Sequence, residues 1–189
     1  DPSAYFQIAL YTGNGNSGKN IPLDSPNFPG EYVGQDLQPD WVWIKKRSGG
    51  TVRSHGLYDS SRGATKLLHT DGTDAEQTQS QGLTAFGSND FTLGTDDGVN
   101  GADHPYVAWL WNANNGTTAS NSDGSITSTV QANTTAGFSI VTYTGNGSSG
   151  ATIGHGLGAV PSMFIIKRRS GTEDWVVYHH KNTSAPETD

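Results

Sequence analysis

Residues 11–21 read YTGNGNSGKNI and residues 143–153 read YTGNGSSGATI, identical at 8 of 11 positions. A second phrase, PDWVWIKKRSG from Pro39, returns as PSMFIIKRRSG from Pro161. The flanks agree: Phe6, Ile8 and Tyr11 stand in the same spacing as Phe138, Ile140 and Tyr143, each pair 132 residues apart. That period is domain-sized and too long for a solenoid repeat. The chain therefore reads as one complete unit, residues 1–113, an Asn/Ser/Thr-rich linker over 114–136, and a truncated second copy over 137–189. A tandem run of whole domains is the usual build of a fibre, stalk or adhesin, which points to structure and binding before catalysis.

Around these phrases the residues alternate as strands do. In Tyr5–Tyr11, Phe6, Ile8 and Leu10 share one face and Gln7 and Ala9 the other, the period of a half-buried strand. WVWIKK (41–46) is the next strand, and VRSHGLY (52–58) a weaker one. SSRGATKLL (60–68) reads as a short strand or one helical turn, and Asp71–Gln81 as a loop. Leu83 and Phe86, then Phe91 and Leu93, flank a Ser88-Asn89-Asp90 turn, and YVAWLW (106–111) closes the unit with Val107, Trp109 and Trp111 on one side. About seven short strands separated by turn signals predict an all-β fold, a β-sandwich or jelly roll of concanavalin-like type. The proline-rich Ile21–Gly34 segment has no counterpart in the second copy and reads as a loop insertion, and residues 112–136 as extended and mobile apart from pairing over Ile126–Val130.

Composition narrows the functions. The hydrophobic share is 32%, yet 5 Trp, 7 Tyr and 6 Phe concentrate the apolar area in a few large rings. A net charge of -7 repels phosphate backbones and argues against nucleic acid. No cysteine is present, so neither disulfides nor a thiolate site hold the fold, and no apolar run is long enough for membrane insertion.

Taken together, YTGNG, WIKKRSG, LYDSSRG, FTLGTDDGVN, YVAWLW, the bridge NSDGSITSTVQANTTAGFSIVTYTGNG and HGLGAVPSMFIIKRRSG resemble the repeated modules of uncharacterised tail, tail-fibre and other virion-appended proteins of marine bacteriophages, common in marine metagenomes. The resemblance spans nearly the whole chain. It implies a phage virion component, extracellular after release, with a spacer or receptor-binding role. Its partners would be host cell-surface glycan or other virion proteins, with homo-oligomerisation through exposed strand edges. It carries over no catalytic residue.

Trp41 and Trp43 lie two apart, as do Trp109 and Trp111, so each pair points to one side of its strand. Two such strands side by side build an aromatic platform for stacking sugars; the competing reading is that the rings fill the sandwich core. Asp96, Asp97, Asn100 and Asp103 offer hard oxygen ligands for Ca²⁺ on a glycine-flexed loop, with Asp71 and Asp74 a weaker version, against the reading of ordinary turn residues. The basic runs Lys45-Lys46-Arg47 and Lys167-Arg168-Arg169 read as strand-edge gatekeepers or as contacts for a polyanionic glycan. A glycan-active tail enzyme would need two carboxylates in a groove, and a pure assembly protein would need only exposed edges.

Overall fold

The computed structural model describes residues 1–23 and 36–182. Most of the Ile21–Gly34 insertion, from residue 24 on, lies outside them. The strands are β1 (Phe6–Thr12), β2 (Lys19–Pro22), β3 (Trp41–Lys46), β4 (Gly56–Asp59), β5 (Lys66–His69), β6 (Gln77–Thr78), β7 (Leu83–Phe86), β8 (Asp90–Leu93), β9 (Pro105–Trp111), β10 (Ala119–Asn121), β11 (Ser128–Asn133), β12 (Phe138–Thr142), β13 (Met163–Ile166) and β14 (Val176–His179), with one helical turn, α1 (Asp97–Asn100).

A six-stranded antiparallel sheet ordered β1-β9-β3-β4-β5-β6 packs on a three-stranded sheet ordered β2-β8-β7. The fold is all-β, a sandwich. Its core is aliphatic with a few rings: Ala9, Val42, Ile44, Tyr58, Tyr106, Ala108 and Leu110 from the large sheet meet Ile21, Leu83, Phe91 and Leu93 from the small one. Each large side chain so buried contributes about 1.5–3 kcal/mol. Tyr11 joins them, stacked on Tyr106 at 5.2 Å, and its hydroxyl donates to the Val99 carbonyl at 2.8 Å.

The inward face of β1 is the reverse of the expected one. Ala9 is buried, while Phe6, Ile8 and Leu10 face out. Pairing decides this, because the register Ile8↔Trp109 and Ala9↔Ala108 places the small residues together where the second sheet approaches and the large ones together on the other side.

The glycine turns of the two repeated phrases fold alike, although Lys19–Pro22 goes on into β2 while residues 151–154 form only the bridge at Ile153. Gly15 and Gly18 turn with φ of 69° and 79°, and their counterparts Gly147 and Gly150 with 73° and 74°, a left-handed region in which glycine carries no Cβ penalty. Asn14 Oδ1 accepts from Asn16 N at 3.0 Å, and Asn146 Oδ1 accepts from Ser148 N at 2.9 Å. The hairpins match in register as well: Trp41↔Asp59 and Val42↔Tyr58 in the first, Met163↔His179 and Phe164↔Tyr178 in the second.

Three further expectations change. The stretch read as a mobile linker pairs over Ile126–Val130 as expected, but more extensively, since β10 and β11 form a sheet with β12 and Ile126 bridges Ile153 in parallel. Lys45 and Lys46 lie on β3, which sits between β9 and β4, so they guard no edge; Lys46 is buried against Asp97. The loop over Asp71–Gln81 contains the short strand β6, paired to β5.

Candidate functional site: the aromatic outer face

Directly opposed residues of an antiparallel sheet hold their Cβ atoms about 4.5–5.5 Å apart, so register alone assembles the site. Across β1, β9 and β3 the outward rows are Phe6, Trp111 and Trp41; then Ile8, Trp109 and Trp43; then Leu10, Val107 and Lys45. The four tryptophans thus meet on one face, as a platform requires. They do not fill the sandwich core, which corrects the packing alternative. Alternation is the reason: with Val42, Ile44, Ala108 and Leu110 turned inward, positions 41, 43, 109 and 111 must turn outward.

The rings are tilted, not flush. Trp43 and Trp109 lie 5.4 Å apart at 49°, and Phe6 and Trp111 4.7 Å apart at 49°. Trp43 also packs on His55 at 5.6 Å and donates through Nε1 to Thr70 Oγ1 at 3.0 Å. Burial pushes the His55 imidazole towards its neutral form, with the Lys45 charge adding to the effect.

One end of this face is occupied by β12. Phe138 meets Trp41 edge-on at 5.9 Å and lies on Trp111 at 6.1 Å and 25°. Beside it the buried Gln131 exchanges hydrogen bonds with Ser60 and Ser61, and Asn133 Nδ2 donates to Asn112 Oδ1 at 2.9 Å. A second clamp lies at the far edge of the large sheet. Arg169 donates to Glu76 at 2.8 and 2.9 Å, and Trp175 Nε1 donates to the carbonyls of His69 and Gly72. Glu76 also receives Arg62, which reaches Asp59. Burial works to raise the Glu76 pKa, but the hydrogen bonds from Arg169 and Arg62 outweigh it and hold the carboxyl below its ordinary value.

The proposed Ca²⁺ loop is engaged otherwise. Asp96 caps α1 by accepting from Gly98 N at 3.1 Å. Asp97 is paired with Arg53 at 2.7 Å and Lys46 at 3.1 Å; the Arg53 hydrogen bond, then Lys46, keeps its carboxyl below the usual range. Asn100 is buried and turned towards the first glycine turn, accepting from Asn14 N and donating to the carbonyls of Asn16 and Gly94. Asp103 sits in a left-handed turn at φ 60°. Among the described residues no group of three or more His, Cys, Asp or Glu is placed to hold a metal, Asp71 and Asp74 included. Lys46, read from the sequence as an edge gatekeeper or glycan contact, and Arg53 are the partners of Asp97.

One feature has no sequence signal. A cavity of about 260 Å³ opens between β4, β5 and α1, lined by Tyr58, Leu67, Gln79, Asp96, Val99 and Arg53 among others. The Tyr58 hydroxyl is buried, and that burial raises its pKa above the ordinary range. Among the described residues Asp96 is the only acid in the lining, so they do not supply the carboxylate pair of a glycosidase there.

Comparison with known families matches residues 1–188 to a domain of unknown function, DUF7483. The chain belongs to that family. No curated protein and no solved structure matches it.

Proposed function

We propose that this chain is a non-enzymatic structural module of a phage virion, from a tail or tail fibre, that serves as a spacer and displays a host-facing surface. The carrying observation is the seating of Phe138 on Trp41 and Trp111, which makes part of the outer aromatic face a joint between consecutive units. Joints of this kind suit a string of like units under mechanical load. Immunogold labelling of intact virions with antibody to this chain tests the reading. Label along a tail appendage is the expected result; protein recovered only from lysed-cell fractions, with unlabelled particles, overturns it.

A second reading concerns the part of the face that Phe138 leaves open. Trp43 and Trp109, with Ile8, Val107 and Lys45 beside them, offer half-buried rings for weak contact with cell-surface glycan, and repetition along a fibre would multiply that contact into avidity. Because the rings are tilted at 49°, each would engage a different sugar face. A glycan array with the wild-type chain, set against Trp109→Ala, decides it: signal lost with the indole supports contact, and no signal on any glycan removes it.

A further inference from the structure

The dipeptide Asn-Gly occurs four times, at 14–15, 100–101, 115–116 and 146–147. It is prone to cyclise, because glycine has no Cβ to keep its amide nitrogen away from the asparagine side chain. The step needs no catalyst: the glycine nitrogen must lose its proton and reach the asparagine Cγ. Loss of that proton is also the event that amide exchange reports, so an N–H bonded inside the fold is withheld from both. The four sites share one chemistry, and the structure separates them.

Asn100 is wholly buried, its Nδ2 donates to Asn14 Oδ1 and to the carbonyls of Asn16 and Gly94, and Gly101 N donates to the Tyr106 hydroxyl at 2.8 Å. Asn14 is exposed, but Gly15 N donates to the Asn100 carbonyl at 2.8 Å, so the nucleophile beside it is tied into the sandwich. Asn115 is exposed as well, with its Oδ1 held at 2.6 Å by Nδ2 of the buried Asn112. Asn146 is held by none of these. It is exposed, the Gly147 N–H makes no hydrogen bond to the described residues, and nothing lies within 4 Å of the place a Cβ would take on Gly147. The bond its side chain does make favours attack: Ser148 N donates to Asn146 Oδ1 at 2.9 Å, where a donor stabilises the charge that grows on the oxygen as a tetrahedral intermediate forms. Asn14 has the equivalent bond from Asn16 N, so the two repeated phrases differ in whether the glycine N–H is free.

We propose that Asn146 is a modification site at which the folded chain deamidates spontaneously, ahead of the other three Asn-Gly pairs. Gly147 N attacks Asn146 Cγ; the N–Cγ bond forms, the Cγ–Nδ2 bond breaks, and ammonia leaves behind a cyclic imide. Water opens the imide at either carbonyl, giving aspartate or isoaspartate. Water is consumed, ammonia is released and nothing is oxidised. The chain gains a negative charge at position 146. In the isoaspartate form the main chain is lengthened by the side-chain methylene, and the turn that matches Gly15 and Gly18 so closely loses its geometry.

The test incubates the whole chain in ¹⁸O-water at mildly alkaline pH and follows each Asn-Gly peptide by mass spectrometry. Label should accumulate at Asn146 at least about tenfold faster than at Asn14, with Asn115 between them and Asn100 unlabelled. Urea removes the restraints, and there Asn14 and Asn146, both within Gly-Asn-Gly, should react at similar rates; this control needs no variant to fold. Asn146→Gln should remove the first acidic species to appear on isoelectric focusing. Labelling of Asn14, Asn100 or Asn115 as fast as Asn146, no label at Asn146, or a preference for Asn146 over Asn14 that survives in urea each overturn the proposal. The site follows from the hydrogen bonds of the two turns and not from a virion location, so unlabelled particles would leave its result standing.

Discussion

Truncating Phe138 to Ala should loosen β12 from the aromatic face without unfolding the sandwich. The ring makes two aromatic contacts, at 5.9 Å to Trp41 and 6.1 Å to Trp111. Such pairs contribute about 0.5–1.5 kcal/mol each beyond area burial, and a fully buried Phe about 1.5–3 kcal/mol. Phe138 is only half-buried, so burial contributes about 1 kcal/mol and the two ring contacts about 0.5 kcal/mol each; the loss comes to about 2 kcal/mol, roughly a thirtyfold shift in the docking equilibrium. Native-state hydrogen exchange separates local from global opening. Amides of Gln131 and Ile140 should exchange about thirtyfold faster, while those of Val42 and Ala108, deep in the core, keep their rates. If core protection falls in step with that of β12, the first unit does not stand alone. If nothing changes, Phe138 does not hold the joint.

Four further outcomes follow from the geometry. Asn100→Ala strips a buried amide that joins Asn14, Asn16 and Gly94, and should cost about 2–4 kcal/mol in chemical denaturation; a loss below about 1 kcal/mol refutes its role as the pin of the glycine turn. Gly13→Ala would set a Cβ 2.1 Å from the Gly101 carbonyl oxygen, a backbone clash that should lower stability by about 2 kcal/mol or more in the same assay. The lowered pKa of Glu76 means that its pairing with Arg169 is fully present above the unfolded carboxyl value of about 4.3 and is lost as pH falls through the lowered folded value. Exchange in the Lys167–Trp175 turn should therefore rise only in acid, below the ordinary carboxyl range, and Glu76→Gln should abolish that dependence. Since Arg53 and Lys46 already hold Asp97, millimolar Ca²⁺ or EDTA should leave the melting temperature unchanged; a calcium-dependent rise would show a site elsewhere.

The strands were legible because their signals are local: alternation in WVWIKK and YVAWLW, and glycine turns between them, lie where β3 and β9 form. Which face of a strand turns inward was not local. For β1 the large side chains Phe6, Ile8 and Leu10 advertise a core face, yet the register with β9 assigns that place to Ala9, and a sequence shows no register between strands nearly a hundred residues apart. The same blindness affected the acidic loop. Spacing placed Asp96, Asp97, Asn100 and Asp103 together as oxygen donors, but Lys46 and Arg53, more than forty residues away, neutralise Asp97 and settle its role. The tryptophan pairs were readable as same-side pairs; that they face away from the sandwich required knowing which sheet covers which side.

Comparison of the copies separates what the residues fix from what the neighbours fix. The turn at Gly15 and Gly18 and the turn at Gly147 and Gly150 have the same backbone signs and the same Asn side-chain bond, although the first touches α1 and its neighbours and the second has open space about both its glycines. Local chemistry is therefore enough to make the turn. Burial behaves otherwise: Tyr11 is packed between Tyr106 and Phe91, whereas its counterpart Tyr143 is exposed, and Val42 is buried whereas Phe164 is not. The larger residue in the second hairpin is the one left in water, so residue hydrophobicity does not account for the difference. What differs is the layer above it, since the small sheet β2-β8-β7 packs on Val42 and Tyr11, whereas Phe164 stays exposed. Burial in this fold is thus carried by two sheets packed face to face, and an apolar strand face without that cover stays in water.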